Sequence, residues 1–154
     1  MKTRMMLGAL ALCFVGVMCF AAEDPQMGTW KLNDAKSKIA AGSPKNSTVV
    51  YAAEADNVKI TVDGTDADGK PMHNEWTGKF DGKDYPVTGD PTQDMRSYKK
   101  IDAHTLEITV KKDGKITNSG RIVVAPDGKS RTVTTTRTDA NGKKSQTIAV
   151  YDKS

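Results

Sequence analysis

The stretch Gly28-Thr29-Trp30-Lys31-Leu32-Asn33 opens a series of short segments in which apolar and polar residues alternate. Residues 57–63 and 104–111 show the pattern most clearly, since every second position holds valine, isoleucine or leucine. Alternation over such lengths is typical of β-strands that bury one face. The chain after residue 27 is therefore predicted to be built from strands.

Ten strands are predicted, at residues 27–32, 46–53, 57–63, 71–80, 83–88, 94–100, 104–111, 115–125, 130–138 and 144–151. Asp-Gly and Asn-Gly pairs supply the positive φ that tight hairpins need. Six such pairs lie at 63–64, 68–69, 81–82, 113–114, 127–128 and 141–142. Outside the N-terminal segment, only Asp34–Ser43 offers even a short turn of helix. Consecutive hairpins predict an all-β fold, an antiparallel up-and-down meander closing into an 8–10-stranded barrel, with an open β-sandwich as the alternative.

Residues 1–22 have the organisation of a secretory signal peptide. Lys2 and Arg4 precede an uncharged apolar run from Met5 to Phe20, and the small residues Ala21 and Ala22 follow. Cleavage after Ala21 or Ala22 is expected, and the mature protein is then periplasmic or secreted. An uncleaved anchor is the alternative, but the run is shorter than the ~20 residues that a spanning helix needs. No other segment could span a membrane.

Loss of this segment restricts the chemistry of the single domain predicted for residues 23–154. Cys13 and Cys19 lie within the signal peptide, so disulfides, thiolate nucleophiles and cysteine-bound zinc are excluded from the mature chain. Removal of Lys2 and Arg4 also lowers the formal charge from +4 to +2. This near-neutral balance argues against a nucleic-acid partner.

The two ends of the chain carry a resemblance to a known superfamily. Gly28-Thr29-Trp30-Lys31-Leu32 resembles the first-strand motif of the calycins, the lipocalins and fatty-acid-binding proteins, and Val150-Tyr151-Asp152-Lys153 is similar to the way many of these barrels end. The whole chain is similar to small exported bacterial proteins described as lipocalin-like. The chain departs from the superfamily in lacking the helix pair of fatty-acid-binding proteins and the disulfides and long C-terminal helix of many lipocalins.

The resemblance implies that Gly28 and Trp30 close one end of the barrel. In this superfamily the tryptophan packs under an arginine from a late strand, a contact that a guanidinium makes favourably with an indole face. The resemblance makes Arg121, Arg131 and Arg137 the candidates for that partner.

A ligand site is predicted inside the barrel, because a barrel of this girth either is filled by its own side chains or holds one small molecule. Its expected lining consists of Trp76, Phe80, Tyr85, Met95 and Tyr98. Strand alternation also places Ile116 inside and leaves Arg96 in solvent. Such a cup suits a small apolar or aromatic molecule.

Four other features have simpler interpretations than a functional site. The acidic run 63–68 with Glu75 only partly matches a calcium loop, and the histidines His73 and His104 lack metal-ligand spacing. Residues 65–70 and 138–143 are nearly the same hexapeptide, which indicates either duplication or shared turn chemistry. The threonine-rich segment 132–138, with Arg131 and Arg137, is interpreted as a solvated outer face, with binding to glycan or cell-wall polymer as the alternative.

The sequence therefore predicts an exported, monomeric, lipocalin-like protein that binds a small hydrophobic ligand. No enzymatic activity, metal or cofactor is expected. The alternative is an extracellular or periplasmic interaction module with a packed core, which binds polymer or protein through its outer strands.

Overall fold

The computed structural model describes residues 23–154. The predicted signal peptide, residues 1–22, lies outside the described residues, and so do both cysteines. No helix in the described range has the length and apolar character needed to cross a membrane.

Ten strands and one short 3-10 helix, Asp34–Lys36, make up this part of the chain. The strands are β1 (Gly28–Leu32), β2 (Lys45–Glu54), β3 (Asn57–Thr65), β4 (Pro71–Gly78), β5 (Tyr85–Thr88), β6 (Met95–Lys100), β7 (Thr105–Lys112), β8 (Lys115–Val124), β9 (Ser130–Thr138) and β10 (Lys144–Lys153). All ten predicted strands are present. The main differences in their bounds are an earlier end of β4, a later start of β5 and two further residues at the ends of β3 and β10.

The strands form a closed antiparallel barrel in which each strand pairs with its neighbours in sequence. Closure comes from β1 and β10, which pair Trp30 with Lys153 and Leu32 with Tyr151. This arrangement confirms the predicted up-and-down barrel and excludes the open sandwich. Closure also leaves no edge strand whose backbone groups would lack partners.

One of the six predicted glycine turns is wrong. Gly64 lies inside β3 without a positive φ, and the turn to β4 instead has its positive φ at Gly69. A Cβ at Gly64 would lie 2.0 Å from the backbone oxygen of Lys45, next to an irregularity in β2 between Asn46 and Thr48. Glycine is therefore needed at this position because two backbones approach closely.

The repeated hexapeptide is the same turn used twice. Asp66 N donates to Lys70 O at 2.8 Å, and the Asp66 carboxylate accepts from the backbone N–H groups of Asp68 and Lys70. Asp139 makes the equivalent bonds at the β9–β10 turn, with Asn141 and Lys143 as donors. Each aspartate is thus used to hold its own loop.

The chain before β1 covers one end of the barrel, which is called the closed end below. Trp30 is fully buried there, and its Nε1 donates to Gln26 O at 2.9 Å. Gln26, itself 1% exposed, donates from Nε2 to His104 O at 3.0 Å and so ties the cover to the β6–β7 turn. The opposite end, formed by the 40–44 loop and the β5–β6 loop, is called the mouth.

Candidate binding site inside the barrel

A cavity of about 160 Å³ lies inside the barrel and extends toward the mouth. Part of its wall is aliphatic, from Val49, Val62, Ile108, Val110, Ile122 and Val133. Polar side chains from facing strands line the rest, among them Asn74, Arg96, Asn118, Arg131 and Thr135. The cavity is therefore amphipathic, whereas the sequence predicted a largely aromatic cup.

The predicted aromatic cup is instead a packed cluster. The Trp76 and Tyr98 ring centroids lie 4.8 Å apart, Trp76 and Tyr85 are 5.7 Å apart, and Phe80 lies 5.9 Å from Tyr98. Tyr51 adds two edge contacts at 6.3 Å. Of the five predicted lining residues only Tyr98 borders the cavity. Trp76, Phe80 and Tyr85 pack within the cluster, and Met95 is exposed on the outside.

Met95 and Arg96 have exchanged the faces that the sequence assigned to them. Met95 is 38% exposed on the outside of the barrel, and Arg96 is 5% exposed inside it. Met95 and Tyr98 are three positions apart, so a regular strand directs them to opposite faces. Tyr98 is held inside by the aromatic cluster, and Arg96 shares its face.

Ile116, also predicted to face inward, is 58% exposed. The β7–β8 register shifts between Val110 and Lys111, where Lys111 pairs with Ile116 and Val110 with Asn118. This irregularity interrupts the alternation near the mouth, and Thr117 and Asn118 line the cavity instead.

Arg96 is the centre of a polar network at one side of the cavity. Its Nη2 donates to Asn74 Oδ1 at 3.1 Å and to Gln93 Oε1 at 2.7 Å, and its Nη1 donates to the Tyr98 hydroxyl at 3.4 Å. Trp76 Nε1 donates to the backbone oxygen of Arg96 at 2.8 Å, which anchors β6 to β4. The guanidinium is thus well supplied with hydrogen-bond acceptors.

Asp90 extends this network to the mouth. Gln93 Nε2 donates to its carboxylate at 2.6 Å, and the hydroxyl and backbone N–H of Thr92 donate as well. Burial favours the neutral form, but the hydrogen bonds from Gln93 and Thr92 and the charge of Arg96 outweigh it. The pKa of Asp90 is consequently lowered, and the group is anionic at neutral pH.

Arg131 has a different environment, at the inner end of the cavity. Its Cζ lies 4.6 Å from the ring centroid of Trp30, 4.6 Å from that of Tyr51 and 5.1 Å from that of Tyr151. Of the three candidate arginines, Arg131 is therefore the one stacked on Trp30. Arg121 is exposed, and Arg137 lies near the mouth, paired with Asn118 and Ser145.

Arg131 is 2% exposed, yet its Nε and Nη1 have no hydrogen-bond partner among residues 23–154. A cation–π contact contributes roughly 0.5–2 kcal/mol, whereas burying a charge costs several kcal/mol. Burial raises the pKa of Tyr151 to about 12 despite the opposing charge of Arg131, and burial also raises the pKa of Tyr51. Both phenols are therefore neutral and supply no negative charge to the guanidinium.

The alternation of side chains along β9 explains how Arg131 and Arg137 reach the interior. Arg131, Val133, Thr135 and Arg137 occupy alternate positions and all line the cavity. The prediction of a solvated threonine face with outward cations was therefore wrong for these residues. The period-two pattern was visible in the sequence, but threonine and arginine gave no indication of which face lies inside.

The remaining closure residues lie at the closed end. Gly28 has a φ of +107°, and a Cβ there would lie 2.9 Å from Lys153 Cε. Lys153 Nζ lies 5.1 Å from the centroid of the Trp30 ring. Lys153 was not among the predicted closure residues, although it lies in the C-terminal motif Val150-Tyr151-Asp152-Lys153.

The histidines and acidic side chains form no candidate metal centre in the described part of the chain, where no group of three or more His, Cys, Asp or Glu is arranged to hold an ion. His73 Nδ1 instead lies 2.6 Å from Asp63 Oδ1 on the outer surface. Asp66 and Asp68 belong to the hairpin turn described above.

No protein-family model and no curated protein matches this chain. Among the solved structures that are similar to it are two β-barrels bound to DFHBI. EF1p2_mFAP2b bound to DFHBI has a TM-score of 0.50 and 12% identity, over 84% of this chain and 94% of that chain. The redesigned β-barrel mFAP1 bound to DFHBI has a TM-score of 0.45 and 16% identity, over 84% of this chain and 95% of that chain. At such identities the first similarity is one of fold alone.

Proposed function

We propose that the protein is an exported, lipocalin-like binding protein that holds one small molecule inside its barrel. The cavity carries this proposal, because it combines an aliphatic wall with buried polar groups that could orient a guest. The lipocalin-like assignment is supported by Trp30 at the closed end and by the arginine stacked on it. The role is proposed to be binding without catalysis, by a monomer.

The cavity volume limits the size of the guest. A cavity of about 150 Å³ in another protein binds benzene, and the cavity here has a volume of about 160 Å³. A guest with one ring or a short alkyl chain fits this space, whereas a retinoid or a long-chain lipid would have to extend out through the mouth. DFHBI bound to the similar barrel EF1p2_mFAP2b is compatible with an interior guest, but it does not identify the ligand of this chain.

Nuclear magnetic resonance of the cavity-lining methyl groups tests this function directly. We expect benzoate, benzamide, benzyl alcohol or hexanoate to shift the methyl resonances of Ile108 and Val133 in a saturable titration. Exposed Ile116 and Val123 should not shift. Tryptophan fluorescence is a weaker reporter, since Trp76 does not border the cavity.

A matched pair of variants separates interior from surface binding. Val133→Phe places a ring in the cavity, whereas Val123→Phe places the same ring on the exposed face of the neighbouring strand. We expect the first to abolish saturable binding and the second to preserve it. An absence of saturable shifts with every probe would contradict the carrier function and favour the interaction module.

Export is proposed from the sequence and needs its own experiment. Mass spectrometry of the protein recovered from outside the cytoplasm should give a chain that begins at Ala22 or Glu23. Recovery of the intact chain from the cytoplasm would contradict export without affecting the binding proposal.

A further inference from the structure

The charge inside the barrel is unbalanced at one place. Arg131 is buried at the inner end of the cavity against three aromatic faces, and its Nε and Nη1 have no acceptor within residues 23–154. Aromatic side chains offset only part of the cost of burying a guanidinium, because neutral rings and phenols supply no negative charge. Arg131 therefore borders the cavity as a buried charge without a counter-ion in the described chain.

No carboxylate of the described chain pairs with this arginine. The ion pairs among residues 23–154 all involve lysine or histidine. The buried acid Asp90 acts on Arg96, to which Gln93 links it through hydrogen bonds at 2.6 and 2.7 Å. Of the two arginines buried in the cavity, Arg96 is thus compensated and Arg131 is not.

We propose that the cavity ligand is a small organic monoanion whose carboxylate binds Arg131. This inference rests on the proposed function and names the chemical class of its ligand. A carboxylate matches the fork of N–H donors on a guanidinium and supplies the missing charge. The hydrocarbon part of the ligand then packs against the aliphatic wall formed by residues such as Ile108 and Val133.

A second unpaired group lies in the same cavity. The Oδ1 of Asn118 is buried without a hydrogen-bond partner in the described chain. It lies nearer the mouth than Arg131, on the strand that precedes β9. Asn118 is thus a second cavity-lining residue with a buried polar atom that the described chain leaves without a partner.

The test compares three probes of nearly equal shape on the unmodified protein. Benzoate is anionic, benzamide is neutral and benzylamine is cationic at neutral pH. We expect benzoate to bind at least about tenfold more tightly than benzamide, the ratio that a charge-assisted hydrogen bond gives. Benzylamine should show no saturable binding. The side-chain Nε resonance of Arg131 should shift with benzoate and remain in place with benzamide.

Two arginine variants assign the effect to a residue. Arg131→Gln should reduce the benzoate-to-benzamide ratio to about one, and Arg121→Gln, an exposed arginine on the neighbouring strand, should leave it unchanged. If Arg131→Gln does not fold, the Arg131 Nε resonance of the unmodified protein still decides the assignment. Loss of the ratio in Arg96→Gln with an unshifted Arg131 resonance would overturn the role of Arg131.

The outcomes distinguish this inference from the function on which it rests. Saturable binding of benzoate and benzamide with equal affinity would overturn the anionic ligand while supporting the carrier. Absence of binding by all three probes and by hexanoate would overturn both.

Discussion

The guanidinium carbon of Arg131 lies 4.6 Å from the ring centroid of Trp30, and the same side chain borders the interior cavity. The contact that closes the barrel is thus also the inner end of its candidate binding site. A ligand that contacts Arg131 is therefore expected to stabilise the contact between Arg131 and Trp30 that closes the barrel. Occupancy of the cavity should raise the melting temperature, as any ligand that binds only the folded state does.

Replacement of Trp30 by alanine should destabilise the barrel by about 3–5 kcal/mol, the usual cost of removing a buried tryptophan. The indole is fully buried and donates a hydrogen bond to Gln26 O. Urea denaturation measures the change. Lys31→Ala, at the next and exposed position of β1, is the control and should alter stability by less than about 0.5 kcal/mol. Equal stability of the two variants would contradict the role of Trp30 in closure.

Gly120→Ala should destabilise the protein by about 1–3 kcal/mol through overpacking. A Cβ at this position would lie 1.9 Å from Thr134 O and 2.7 Å from Thr135 Cα, so β8 and β9 would have to separate. Ser119→Ala alters the adjacent exposed residue and serves as the control. A Gly120→Ala variant with an unchanged urea midpoint would show that the two strands are not so closely spaced.

His73 should titrate above its ordinary pKa near 6.5, because the hydrogen bond to Asp63 favours the protonated ring. A raised pKa in the folded state stabilises the protein below the unfolded pKa, and this contribution disappears as pH rises through the folded value. Asp63→Asn should therefore lower the unfolding midpoint more at pH 5 than at pH 8.5. An NMR titration of His73 should show its pKa decreasing in the same variant.

The pH dependence of the Asp63→Asn effect should vanish in a His73→Gln background. A double-mutant cycle at both pH values isolates this pair from other titrating groups. Persistence of the pH dependence without His73 would assign it to another residue.

Met95→Lys should change stability by less than about 0.5 kcal/mol, since Met95 is 38% exposed. Val87→Lys on the neighbouring strand should prevent stable folding, because Val87 is 8% exposed and an unpaired charge would be buried. Circular dichroism with thermal melting distinguishes the two. A large loss of stability in Met95→Lys would instead indicate that Met95 lies inside the barrel, as the sequence predicted.

The strands could be predicted from the sequence because alternation and turn residues are local signals. Asp-Gly and Asn-Gly pairs marked most hairpins, and the regular spacing of strands indicated a meander. Gly64 was misread because an Asp-Gly pair has the same sequence whether it forms a turn or a close contact between backbones. Ile116 was misread because the irregularity that displaces it depends on the partner strand.

The candidate site could be predicted only in part. Trp30 and a stacked arginine followed from the terminal motifs, but the choice of Arg131 required the register of β9 against β8 and β10. The aromatic residues looked like a ligand cup because hydrophobicity indicates burial without showing what fills the space. Asn74, Gln93 and Asn118 gave no sequence signal, since isolated amides are common on surfaces.

The sequence by itself determined ten antiparallel strands in an up-and-down order, because period-two patterns and short turns are local signals, and the resemblance of its terminal motifs to calycins implied a tryptophan at one sealed end. The closure of the sheet was decided by the pairing of β1 with β10. Only the tertiary structure decided which side chains share the interior. The aromatic rings contact one another near the closed end, and a cavity remains beside Arg131. Burial and hydrogen-bond partners depend on contacts between residues far apart in sequence. The chemistry of the cavity is therefore set only when the barrel closes and brings these residues together.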